Sequence, residues 1–279
     1  MMQSAMSNAQ AKAQSPRVLF FGMPGNFSLP VLMALLKDGI EVCAVVIPTT
    51  SDASNQPQAI QLRESPRIAR STLPLVNAAL QRSIVQLSWE RKIPLWEVAQ
   101  LADTETVSVL AAYQPDAICV ACFSLLIPEV IRDLPRFGCL NVHPSLLPAN
   151  RGPVPLFWTL REGHRTTGVT IHLMSEKMDS GDILAQEEIA VPDGIRYRQL
   201  EQRCAERGGA LLARTLRDLD QGRASRTPQD ESKSSYHSFP TDADFVIRPE
   251  EWDAQHLANF IHGISDWGEP VQPSATTSD

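Results

Sequence analysis

The first regular stretch of the chain constrains the fold more than anything after it. Arg17–Gly22 (RVLFFG) is a short apolar run closed by glycine, and Glu41–Ile47 (EVCAVVI) is a second. Short runs that are apolar throughout, and bounded by turn residues, read as strands buried on both faces. Between them Ser28–Lys37 (SLPVLMALLK) has helical spacing, with Ser28 as a candidate N-cap, Pro30 in the first turn and Gly39 as the stop. Strand, helix and strand in that order predict a parallel pair with the helix packed across it. The chain therefore opens as an α/β protein whose sheet is covered by helices.

The remaining pattern extends that opening. Further strands are expected at Asp116–Ala121, Gly138–Val142, Thr167–Met174 and Ile183–Val191, the third of these alternating apolar with polar like a half-buried strand. Helices are expected at Trp96–Leu101, Thr104–Tyr113, Pro128–Leu134 and Leu156–Glu162. A long helix is expected after Asp193, a possible N-cap, to about Leu219; Leu200, Cys204, Leu211, Leu212, Leu216 and Leu219 would share one face. Pro48–Ser83 is polar and reads as an insertion with a short helix near Leu73–Leu80, and Ala224–Thr241 reads as a linker. Glu250–Ile261 is a short amphipathic helix, which could pack back on the core or form a dimer contact. The expected organisation is a tail over 1–15, a catalytic unit over 16–223, a linker with a helical appendage over 224–270 and a second tail over 271–279.

Composition narrows the function classes. With 43% hydrophobic residues in 279, the chain is not a disordered one. Lys plus Arg is 25 against 32 Asp plus Glu, a net charge of −7, which argues against holding nucleic acid mainly through a basic surface. No apolar run approaches the length of a membrane span, and the N-terminus lacks the apolar core of a signal peptide, so a cytoplasmic protein is expected. Cys43, Cys119, Cys122, Cys139 and Cys204 are odd in number and mostly lie in apolar runs, as buried thiols of a reducing compartment do.

Three places could carry chemistry. The loop Gly22-Met23-Pro24-Gly25-Asn26 joins a strand to a helix start, which can present free N–H groups to an anion, though it is not G-x-G-x-x-G and also reads as a plain turn. Cys119 and Cys122 have metal-ligand spacing but no second pair, so buried thiols and no metal are expected. Asn141 and His143 stand two apart at the end of a predicted strand, on one side of an extended backbone. Asp179, in a later loop, could fix the tautomer of that imidazole and favour its charged form. Together the three could stabilise an oxyanion and move a proton. His172 would pack within its strand, while His164, His237, His256 and His262 read as surface groups.

The third place is where the residues stop being generic. Asn141-Val142-His143-Pro144-Ser145-Leu146-Leu147-Pro148-Ala149-Asn150-Arg151-Gly152 resembles the signature of the folate-dependent formyltransferases. Thr167–Thr170 and Met178–Leu184 resemble the block that carries the family's Asp, and Phe20–Pro24 is similar to the opening of the methionyl-tRNA branch. The resemblance covers about Arg17 to Gly222. It implies a Rossmann-like domain with a mixed, mostly parallel sheet, 10-formyltetrahydrofolate as donor and a primary amine as acceptor, with no metal. Asn141, His143 and Asp179 would be the catalytic trio. Ser145, Leu146, Leu147 and Pro148, with Phe123, Leu125 and Leu126, would line the folate side; Gly22 to Asn26 and Arg151 would face the acceptor. Trp252–Pro270 resembles the linker helix that precedes the second domain of the methionyl-tRNA enzymes, yet Gly268–Asp279 is too short to form such a domain. That and a pI near 5.4 favour a small amine as acceptor, while the motifs favour tRNA. Hydrolysis of the formyl donor and non-catalytic folate binding are the other readings.

Overall fold

The computed structural model describes residues 15–49, 58–66, 82–247, 249–267 and 272–273. Within them one eight-stranded sheet runs in the order β3-β4-β2-β1-β5-β6-β7-β8. Its strands are β1 (Arg17–Gly22), β2 (Glu41–Pro48), β3 (Ile60–Leu62), β4 (Leu95–Val98), β5 (Ala117–Ala121), β6 (Cys139–His143), β7 (Thr166–Leu173) and β8 (Ile183–Ala190). The five strands β4, β2, β1, β5 and β6 are parallel to their neighbours; β3, β7 and β8 add on antiparallel. The sheet is mixed and mostly parallel, as expected.

Seven helices are described: α1 (Ser28–Lys37), α2 (Ile84–Glu90), α3 (Thr104–Ala111), α4 (Glu129–Arg132), α5 (Pro155–Arg161), α6 (Tyr197–Asp220) and α7 (Ala254–Gly263). The period of two along β1 sorts them. Val18 and Phe20 join the core under α1, α2, α5 and α6, while Leu19 and Phe21 join the core under α3 and α4. Burial on both faces is why β1, β2 and β5 read as unbroken apolar runs. A side chain at Gly208 would collide with Val142 and Val169, so glycine there lets α6 lie close against β6 and β7.

The chain reverses its winding between β1 and β5. From β1 it moves outward through β2 to β4, then crosses back to β5 on the other flank of β1. Loops leaving β1 and β5 therefore diverge at their carboxyl ends, which opens the crevice where α/β sheets bind ligands.

Several local expectations need correction. Trp96–Leu101 is not a helix: Leu95–Val98 pairs with β2 on one side and β3 on the other, and that pairing overrides the local spacing. The edge strand β3 lies within the polar insertion, and α2 begins at its carboxyl end behind a Ser83 capping box. The expected Leu73–Leu80 helix lies outside the described residues. Ser28 is inside α1, not its N-cap; its hydroxyl accepts from Met23 N at 3.0 Å and donates to the Ala121 carbonyl at 2.6 Å, tying the β1 loop to β5. Asp193 does not cap α6, which starts after Arg196; its carboxylate accepts from Asn259 and pairs with Arg165 instead.

The C-terminal residues pack back on the domain. Phe260 is fully buried, and Phe157 has Phe245, Phe260 and Trp267 within 5.2 to 5.8 Å, centroid to centroid. His256 stacks on Trp252 and meets the Arg161 carbonyl, and His237 stacks on Trp158, so neither is a free surface group. Among the described residues no helix is long and apolar enough to cross a membrane. All five cysteines are free thiols; Cys122 is exposed rather than buried, because the chain turns out of β5 there with φ of 59°.

Candidate active site

Asn141 and His143 point to the face of β6 opposite Leu140 and Val142, which enter the α6-side core. The antiparallel register of β7 brings its own polar pair to the same face, setting His172 opposite Asn141 and Thr170 opposite His143. Above them lie two loops instead of a helix. Residues 144–152 follow β6, and residues 174–182 follow β7.

Thr170 fixes the first loop. Its hydroxyl donates to the Ser145 carbonyl at 2.7 Å and accepts from Leu147 N at 3.2 Å and from Gln186 Nε2 at 2.9 Å. Gln186 also donates to the Leu147 carbonyl at 2.7 Å. Ser145 and Leu147 are thus buried and committed to the shape of the loop, which contains a cis Leu147–Pro148 peptide.

Asp179 tops the second loop. Its Oδ2 accepts from Gly152 N at 2.9 Å and faces His143 Nδ1 at 3.7 Å. Its Oδ1 lies 3.5 Å from Asn141 Nδ2 and 3.6 Å from His172 Nε2. His143 Nε2 meets the Asn150 carbonyl at 2.9 Å; donation to that acceptor puts a proton on Nε2 and leaves Nδ1 facing the carboxylate. His172 Nδ1 donates to the Leu173 carbonyl at 2.9 Å, so its Nε2 accepts from Asn141 Nδ2 at 3.2 Å. Burial pushes the His172 imidazole down to about 4, against the opposing pull of Asp179, and it is neutral near pH 7.

A third segment clamps both loops. Residues 224–241, a linker by composition, form a strap across the site. Ser235 Oγ accepts from Asn150 N at 2.8 Å, and Arg151 and Tyr236 form a β-bridge. Gly152 adopts φ of 114°, and a Cβ there would run into the His237 carbonyl oxygen, so only glycine admits the strap. Arg151 is 8% exposed, its guanidinium bonded to Gln229 and paired with Glu231.

Residues 16–216 match the family model described as Formyl transferase. The chain belongs to the formyl transferase family. A methionyl-tRNA formyltransferase from Syntrophus aciditrophicus is 37% identical over 248 residues, which span 89% of this chain and 72% of that protein. Among solved structures, a sugar N-formyltransferase from a Shewanella species superposes with a TM-score of 0.60 at 16% identity, covering 89% of this chain and 88% of that one. HypX from Aquifex aeolicus in complex with tetrahydrofolic acid gives 0.57 at 18% identity, over 93% of this chain and 36% of that one. The two structures share the fold.

In this folate-dependent formyltransferase the three residues singled out by the two family blocks stand together at one end of β6. An open surface depression lies beside β4 and β5, bordered by Gln100, Leu101, Asp103, Leu125, Leu126 and Pro128. Phe123 lies 5.1 Å from Phe21, ring to ring, at the base of the same loop. The Met23–Asn26 loop is solvent-facing at the β1 end of the crevice; burial pushes the Glu201 carboxyl of α6 up, and the Asn26 side chain opposes that rise. Two contributors escaped the sequence reading. His172 was readable as facing Thr170's side of β7, but its partner Asn141 comes only from register. Gln229 sits in a segment whose composition signals nothing, beyond the reach of the family match, which ends at residue 216. Among the described residues no group of three His, Cys, Asp or Glu is arranged to hold a metal.

Proposed function

We propose that this formyltransferase carries the formyl group of 10-formyltetrahydrofolate to the amine of methionyl-tRNA, in the cytoplasm, where both reactants occur. Support for the acceptor is the 37% identity to a methionyl-tRNA formyltransferase along 89% of the chain. The convergence of an amide, an imidazole and a carboxylate at the carboxyl end of β6 carries the chemistry.

The amine nitrogen attacks the formyl carbon, and negative charge gathers on the formyl oxygen. In its doubly protonated form, with Nε2–H kept on the Asn150 carbonyl, His143 donates Nδ1–H to that oxygen, and Asn141 Nδ2 donates beside it. One Asn141 N–H is held by His172; the other makes the long 3.5 Å contact to Asp179, which a developing oxyanion replaces. His172 is neutral, so it orients the amide without competing as a cation for Asp179. The Asp179 carboxylate takes a proton from the attacking amine and delivers it to the folate nitrogen as the carbon–nitrogen bond to the donor breaks. The open depression bordered by Leu125 and Leu126 would take the donor ring, and the Met23–Asn26 loop would border the acceptor.

The test is a transfer assay with 10-formyltetrahydrofolate against charged initiator methionyl-tRNA and a panel of small amines, including nucleotide-linked amino sugars. The tRNA is expected to exceed every small amine in kcat/KM by about 10³-fold, because its remote contacts contribute to transition-state binding. A nucleotide-linked amino sugar turned over faster than the tRNA overturns the acceptor. Formate released at full rate without any acceptor overturns transfer itself.

A further inference from the structure

We infer that Gln229 is a positioning residue for the reaction, setting Asp179 against His143 from the strap; the inference rests on the roles proposed for those two residues. Its side-chain amide is completely used. Nε2 donates to the Asp179 carbonyl at 2.8 Å and to the Gly181 carbonyl at 2.7 Å. Oε1 accepts from Arg151 Nη2 at 2.7 Å and from Arg151 Nε at 3.2 Å. One side chain thereby joins the loop that carries Asp179 to the loop that carries Asn150–Gly152.

Within the Asp179 turn the Lys177 carbonyl accepts from Ser180 N and Ser180 Oγ, but no bond inside the turn reaches Asp179 itself. Asp179 has φ of 51°, a region uncommon for residues with a side chain and more open to Asp than to most. Two grips from outside the turn act on opposite sides of the residue. Gly152 N holds the carboxylate, and Gln229 holds the main-chain carbonyl. Arg151 aligns the second grip, since the fork that meets Gln229 is itself fixed by Glu231 at 3.0 and 2.8 Å. With Gln229 removed, the Asp179 and Gly181 carbonyls lose their donor, and the spacing of the carboxylate from His143 Nδ1 loses its outer support. Displacement of a reacting group by about 1 Å can cost on the order of 10² in rate.

Glu at 229 still offers an oxygen to Arg151 but sets another against two carbonyl oxygens, so Gln229→Glu separates the two functions of the amide. It is expected to lower kcat by about 30- to 100-fold with KM for donor and acceptor changed by less than about threefold. Hydrogen exchange at the Gly152 amide, which reports directly on the Asp179 carboxylate, should speed up by about tenfold or more, while Val142 and Ile171 on β6 and β7 keep their protection. Thr241→Val, which loosens the turn at the end of the strap without touching Arg151, Glu231 or either loop, should leave kcat and Gly152 exchange unchanged. If Gln229→Glu fails to fold, Gln229→Met, of the same length but without polar atoms, takes its place with the same expectations. Unchanged Gly152 exchange and kcat, or a loss that appears in KM alone, overturns the inference. If the wild-type protein formylates no acceptor, it is the proposed function that fails, and the exchange measurement still decides for or against Gln229.

Discussion

Asn141 and Asp179 face the same space by unlike means. Asn141 is carried by β6, between β5 and β7, and its direction follows from strand register alone. Asp179 rides a turn with positive φ, held by a backbone N–H from one loop and a glutamine from a strap fifty residues further on. The first placement survives anything the sheet survives. The second depends on three segments meeting at one point, so the site is rigid on its floor and assembled at its rim.

The sharpest break of this comparison is on the floor. His143→Ala should cost about 10³ in kcat, since in the proposed mechanism one group supplies both an oxyanion donor and the partner of Asp179. Unfolding should cost about 1–3 kcal/mol less, because the buried Asn150 carbonyl loses its donor, while the sheet register is kept. A kcat within tenfold of wild type would place the chemistry elsewhere.

Next comes acid. Burial sets His172 at about 4 in the fold, while the unfolded chain titrates it near 6.5. The folded state therefore resists a proton that the unfolded state takes up, and stability falls as pH drops from about 6.5 to 4. The loss assigned to this residue is on the order of 3 kcal/mol. Urea midpoints of wild type and His172→Gln, compared at pH 7 and pH 4, should show the shallower fall in the variant; parallel falls would contradict the buried, neutral imidazole.

A smaller effect joins floor to rim. Thr170→Val removes the hydroxyl that ties β7 to Ser145, Leu147 and Gln186, leaving buried polar groups without it. The cost should be about 1–3 kcal/mol in denaturant unfolding, with a rise in donor KM as the 145–148 loop loosens. A loss confined to kcat would mean the loop acts on the chemistry and not on the donor.

The same division explains what was legible in the sequence. The βαβ opening, the strands that frame the crevice and the Asn141–His143 pair all follow from periods of two and 3.6, which are local. Leu95–Val98 did not: its four residues pack as strand or helix equally well until β2 and β3 flank them. His172 and Gln229 were harder still, since each acquires its meaning from a residue 31 or 50 positions away. Asp179 was offered from residue type as a partner for His143, and its weight came from the resemblance to a family block.

The strap also places the site late in the life of the chain. Sheet and helices through α6 precede residue 224, yet the contacts that bind Asn150 and Arg151 come from partners 78 to 85 positions downstream. During synthesis the N-terminal part of a domain emerges first, and contacts of wide sequence separation close last. A nascent chain halted after α6 would therefore hold Asn141, His143 and Asp179 without the clasp that aligns them. On the role inferred for Gln229, alignment of the three residues waits for the strap to emerge.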